Sequence, residues 1–156
     1  MNFQVLALPE TEFQALYGLS DAELARRGVR TTIASSSFGY PCRVSMRDAD
    51  AGARMFLLNY EHQPANSPYR STHAIYVQDG AVRSDVSVNS VPDVLRARLL
   101  SVRAFDADGM MIDADVVEGN DAASVFQRLL ANDKAAYLHV HNAKRGCYAA
   151  RVERVA

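Results

Sequence analysis

Histidine titrates closest to neutral pH of all side chains and is the commonest protein metal ligand. The chain holds four of them in 156 residues, confined to two places. His62 and His73 bracket a polar segment, and His139 and His141 lie in the run Tyr137-Leu-His-Val-His-Asn142. Residues two apart on a strand face the same way. If this run pairs with the segment after Gly146 so that Asn142 sits opposite Cys147, then His141 faces Tyr148 and His139 faces Ala150. Tyr137, His139, His141 and Tyr148 then share one surface, and Leu138, Val140 and Ala149 share the other, the core side. The expectation is that His139 and His141 point together and that His62 or His73 approaches them.

Three chemistries suit such a surface. Imidazoles two apart on a strand can share a metal ion, with Asp113 or Asp115 available as a carboxylate, although nothing in the spacing fixes a third ligand. Imidazoles also serve acid–base and anion-binding roles near neutral pH, and cross-strand hydrogen bonding with aromatic packing accounts for the same residues structurally. In the acid–base reading His62, His73, His139 and His141 are the catalytic groups.

The segment Glu61 to Ser71 reads as a polar loop stiffened by Pro64 and Pro68, of a length at which loops begin to carry function. In it Tyr69 and Arg70 are candidates to hold a carboxylate or phosphate through a phenol and a planar guanidinium. Asn142, Lys144, Arg145 and Tyr148 extend the candidate ligand-binding set into the last hairpin. Cys42 and Cys147 each stand near basic residues, a context that activates thiols, but small buried cysteines are common in cores and two cysteines do not make a disulfide scaffold. Free, reduced thiols are expected. Asp106-Ala-Asp-Gly109 reads as a hairpin turn rather than a calcium loop, because Met110 stands where a fifth oxygen ligand belongs. The glycine-rich nucleotide loops, the Gly-x-Ser-x-Gly elbow, Cys-x-x-Cys and His-Glu-x-x-His are absent, so no cofactor is named by motif.

The elements that must position these residues are legible from periodicity. Val5, Leu6 and Leu8 form a short extended segment stopped by Pro9, and Phe13, Leu16 and Tyr17 recur at helical spacing. Ser20 to Glu23 is a capping box, with Gly28 as the helix stop. Strands are expected at Thr31–Ile33, Met55–Tyr60 and Thr72–Gln78, and a short helix over 90–99 with Pro92 in its first turn. Hairpins follow at 100–117 and 136–152, around a helix near 121–131 whose stripe is Val125, Phe126, Leu129 and Leu130. Runs of adjacent strands with a few helices define an α+β fold: one domain over residues 1–156, a mostly antiparallel mixed sheet of β-hairpins and three or four short helices.

Hydrophobic residues at 49% and charged residues at 22% are ordinary globular values. A net charge of −1 leaves no basic excess to neutralise a phosphate backbone, so nucleic acid is not an expected partner. No apolar run approaches the roughly 20 residues that span a bilayer, and the N-terminus lacks the pattern of a signal peptide, so neither membrane nor export is expected and the cytoplasm is the expected compartment.

Five blocks together resemble a known family. They are Gly39-Tyr-Pro-Cys-Arg43, Asn59-Tyr-Glu-His-Gln-Pro64, Ser67-Pro-Tyr-Arg-Ser-Thr-His-Ala-Ile75, Arg103-Ala-Phe-Asp-Ala-Asp-Gly-Met-Met111 and Tyr137-Leu-His-Val-His-Asn-Ala-Lys-Arg-Gly-Cys-Tyr148. They look like the bacterial proteins called domain of unknown function 1203. The resemblance implies a small, single-domain bacterial protein and carries over no activity or catalytic residue. Its blocks coincide with the segments chosen above on chemical grounds. The leading reading is a small-molecule site, binding or enzymatic, for a small anionic ligand, built from the 61–71 loop and the 137–148 hairpin. The alternative is a non-catalytic protein-interaction or structural module.

Overall fold

Alternating apolar residues build two five-stranded sheets, where the sequence pattern had pointed to one. The computed structural model describes residues 1–156. Its strands are β1 (Asn2–Leu6), β2 (Arg30–Ile33), β3 (Pro41–Cys42), β4 (Arg47–Asp48), β5 (Arg54–Gln63), β6 (Ser71–Gln78), β7 (Leu99–Phe105), β8 (Met111–Glu118), β9 (Tyr137–Asn142) and β10 (Tyr148–Val155). Three α-helices, α1 (Asp21–Arg26), α2 (Asp93–Arg96) and α3 (Ala122–Leu130), and three 3-10 turns complete the α+β architecture. One sheet runs β1-β10-β9-β7-β8 and is antiparallel throughout. The other runs β2-β5-β6-β3-β4, with β3 parallel to β6.

The first sheet buries one face under α3. Leu100, Val102 and Ala104 of β7, Leu138 and Val140 of β9, Val152 of β10 and Phe3 and Val5 of β1 pack there against Val125, Phe126, Leu129 and Leu130. Phe3 meets Phe126 edge to face, with ring centroids 5.4 Å apart. Truncating a buried phenylalanine such as Phe126 costs about 3–5 kcal/mol. The second sheet has its own core, in which Met55, Phe56, Ile75 and Val77 pack with Leu24, Phe13 and Cys42. Tyr148, although on β10, packs with this second core, so the uncovered face of the first sheet meets the second. A two-pronged ion pair ties them together: Arg98 Nη1 and Nη2 donate to Asp48 Oδ2 and Oδ1 at 2.9 and 2.7 Å, from just before β7 to β4.

Local signals translate directly in several places. Ser20 and Glu23 form the reciprocal capping box of α1. The segment around Phe13 and Leu16 folds as two 3-10 turns, Glu10–Glu12 and Gln14–Leu16, instead of an α-helix. Pro92 is the N-cap of α2 and lies just outside it. The proline loop is shorter than expected: Glu61, His62 and Gln63 belong to β5 and Ser71 to β6, so only 64–70 is irregular. That loop is pinned by Ser67 Oγ, which donates to the Gly109 carbonyl at 2.8 Å.

Candidate functional site

On β9 the alternation is strict. Leu138 and Val140 enter the core beneath α3, and His139 and His141 point the other way, toward the second sheet. Their neighbours on β7 are Arg103, opposite His139, and Ser101, opposite His141. On the other flank Tyr148 is opposite His141, as the hairpin pattern predicts, but the next pair departs from it. An extra residue, Ala149, bulges out of β10, and Arg151 replaces Ala150 opposite His139. The bulge puts a guanidinium where simple alternation puts a methyl group.

A second bulge acts from the facing sheet. Tyr60 pairs with His73 and Gln63 with Ser71, so Glu61 and His62 together oppose the single residue Thr72. The kink turns Glu61 to solvent and buries His62 and Gln63 in succession. Both sheets therefore use a β-bulge at the junction, the irregularity that re-aims side chains beside functional sites.

The four imidazoles converge. The His62 ring centroid lies 4.7 Å from His73, 5.0 Å from His141 and 5.7 Å from His139, and His73 lies 5.2 Å from His141. Tyr148 stacks on His62 at 5.1 Å, nearly parallel. His62, His139 and His141 are 7%, 2% and 0% exposed, whereas His73 is half-buried. One ring nitrogen from each of His62, His139 and His141 lies within 4.8 Å of the others. His62 Nδ1, His139 Nδ1 and His141 Nε2 are buried without any hydrogen-bond partner. A buried unsatisfied polar atom costs about 1–3 kcal/mol, so three together are an expensive arrangement for a purely structural cluster.

The second nitrogens of His141 and His62 are engaged. His141 Nδ1 lies 2.9 Å from the Gly146 carbonyl, which can only accept, so Nδ1 carries the proton and Nε2 the inward lone pair. His62 Nε2 and His73 Nδ1 share a hydrogen bond of 2.6 Å. Gln63 Nε2 donates to the Tyr137 hydroxyl at 2.9 Å and closes the cluster on one side.

Burial sets the electrostatics. Desolvation, reinforced by the neighbouring rings and by Arg103, lowers His62 to about 4 and His139 and His141 to about 3. His73 is lowered too, by burial and then by Arg103. All are therefore neutral at pH 7. Burial pushes the Tyr148 phenol well above its ordinary range, so it too is neutral. Arg151 acts on His139, but its charge is offset by Glu153 at 2.6 Å, and its guanidinium lies over the Tyr137 ring.

The other residues chosen from the sequence fall differently. Tyr69 is exposed and meets Phe105 edge to face at 6.1 Å. Arg70 is exposed and paired with Glu61 at 3.1 Å. Lys144 and Arg145 are exposed at the hairpin tip. Asn142 alternates onto the face away from His141, where its Nδ2 contacts Cys147 Sγ at 3.5 Å. Cys147 also receives Arg43 Nη2 at 3.2 Å, and Cys42 is a buried core residue; both thiols are unpaired. Asp115 pairs with Arg128 at the surface, remote from the acidic ligand role open to it in the sequence. Arg103 and Gln63 join the cluster although the histidine pattern does not point to them. Arg103 had a readable signal in Leu100-Ser-Val-Arg-Ala104, where Ser101 and Arg103 are the polar positions of an alternating strand.

The family model for Protein of unknown function (DUF1203) matches residues 39–154, a span that includes every residue of the cluster. The chain belongs to this family. No curated protein and no solved structure shows significant similarity to it. No helix is long and apolar enough to cross a membrane.

Proposed function

We propose that this protein binds one divalent first-row transition metal ion, zinc foremost, through His62, His139 and His141, and presents it to a small ligand. The observation that carries the reading is the convergence of three buried imidazoles, each with an unpartnered ring nitrogen, from strands of two different sheets. Metal ligation needs the neutral ring, which burial already enforces here, whereas general acid catalysis at pH 7 needs a proton these rings do not hold. Donors on a tetrahedral ion at about 2.0–2.1 Å stand roughly 3.3 Å apart, so loading draws the rings inward from their present spread.

The hydrogen bonds around the donors fit the same reading. A metal-binding histidine commonly donates its other N–H to a carbonyl, which orients the ring, and His141 does so to Gly146. If His62 binds through Nδ1, its Nε2–H donates to His73 Nδ1, leaving His73 as the half-buried support between the site and solvent. Three neutral protein ligands leave a fourth position open and the full charge of the ion uncompensated, the composition of sites that activate a bound water or hold an anion. Two unpaired thiols are consistent with a reducing, cytoplasmic setting.

The test is metal titration of chelator-treated protein with Zn(II) and Co(II). One ion per chain with a dissociation constant below micromolar is expected, and His139→Ala or His141→Ala should weaken it at least a hundredfold with the circular dichroism unchanged. Failure of the wild-type chain to take up either ion at tens of micromolar would overturn the proposal.

A further inference from the structure

Arg103 is the charged residue of the cluster for which neither packing nor pairing accounts. It sits on β7 directly opposite His139, and Ser101, two residues earlier, sits opposite His141, so both side chains share the histidine face. The strand's other positions, Leu100, Val102 and Ala104, are fully committed to the core beneath α3. Its guanidinium is partly desolvated, makes one long contact from Nε to Ser101 Oγ at 3.4 Å, and has no carboxylate within ion-pair distance. The charge is felt by all four imidazoles. By contrast Arg151, across the same histidine, is neutralised by Glu153, and Arg70 by Glu61.

We propose that Arg103 is an anion-binding residue, and that the site takes a small oxyanion, a carboxylate or phosphate, with one oxygen on the metal and the others on the guanidinium. This rests on the metal reading above. Three neutral ligands leave the ion's two positive charges in place, and Arg103 adds a third in a partly dry setting. An oxyanion offsets charge at both centres at once, and the planar fork of arginine matches its geometry. The aromatic rings of Phe105 and Tyr137, stacked 5.5 Å apart beside His139, supply the apolar wall that excludes water from such a contact.

The Co(II)-loaded protein gives the test, because its visible absorption reports the ligands on the ion. Titration with inorganic phosphate and with acetate should shift the bands of the wild type. In Arg103→Gln the same shift should need at least tenfold more anion, and Arg103→Lys, which keeps the charge without the fork, should fall between. Co(II) affinity in Arg103→Gln should equal or exceed the wild type, since a repelling charge has been removed; weaker affinity would mean a structural role for Arg103 and would overturn the assignment. Metal-free protein should bind phosphate at least tenfold more weakly. If the wild type gives no Co(II) bands, the metal reading fails. If the bands form but neither anion moves them, or moves them equally in Arg103→Gln, the anion assignment fails alone.

Discussion

His141 Nδ1 lies 2.9 Å from the carbonyl oxygen of Gly146, so the turn of the last hairpin sets the tautomer of a buried histidine five residues earlier. Gly146 holds φ at +78°, a conformation L-residues adopt at a cost, and a Cβ there would meet no atom within 4 Å. Gly146→Ala should therefore fold, lose about 1 kcal/mol of stability from backbone strain alone, and bind metal more weakly as the carbonyl shifts. Gly28, with φ +75° and equally open space, is the control: Gly28→Ala should show the stability loss without the change in metal affinity. Equal metal affinities in both variants would disconnect the turn from the site.

The metal-free protein should be acid-sensitive in a definite window. The unfolded chain takes up protons on His62, His139 and His141 near the ordinary value of 6.5, while burial delays uptake in the folded state to about 4, 3 and 3. Above pH 7 both states are neutral and the three residues contribute nothing. As pH falls from 6.5 the unfolded state binds more protons, so stability drops, by up to about 1.4 kcal/mol per pH unit for each histidine, until the folded values are reached. Urea midpoints should decline steeply between pH 6.5 and 4.5, and His139→Gln should remove one share of the slope. A flat profile through that window would contradict the burial argument.

His73 should behave differently from the other three. It is half-buried and touches the cluster through a 2.6 Å bond to His62, so it orients a donor without being among the three grouped nitrogens. His73→Ala should lower metal affinity about 10–100-fold, the usual effect of losing a partner that orients a ligand. Stoichiometry should stay at one ion per chain. Loss as complete as in His139→Ala would make His73 a fourth ligand.

The shared face of His139 and His141 was legible because strand alternation is local, and Gly146 marked the turn that sets the hairpin. The α3 stripe and the Ser20 capping box were legible for the same reason. What escaped the sequence was non-local or irregular. Nothing in Tyr60-Glu-His-Gln63 announces a bulge, so His62 and Gln63 read as the start of a loop when they are the end of a buried strand. The bulge at Ala149 likewise exchanged Ala150 for Arg151 opposite His139. Arg103 was visible as a polar strand position, but the adjacency of β7 and β9 across 31 intervening residues, including β8 and α3, is decided by core packing under that helix. Arg70, Lys144 and Arg145 lie near the histidines in sequence, while the cation that faces the histidines comes from another hairpin.

The two thiols should separate by accessibility. Cys42 is 1% exposed, packed with Met55, Ile75 and Val77, and its sulfur accepts backbone amides from Ser45 and Gln78 at 3.4 and 3.3 Å. Cys147 is only partly buried, at the end of the hairpin turn, with Arg43 Nη2 at 3.2 Å from its sulfur. A thiolate reagent needs access and benefits from a neighbouring cation, and Cys147 has both. Iodoacetamide should therefore label one thiol per native chain at Cys147, and both only after unfolding in guanidinium. Labelling of Cys42 first would mean that the β3–β6 core opens before the hairpin does. Two blocked thiols in freshly purified, unfolded protein would instead mean that the cysteines are oxidised, against their separate surroundings here.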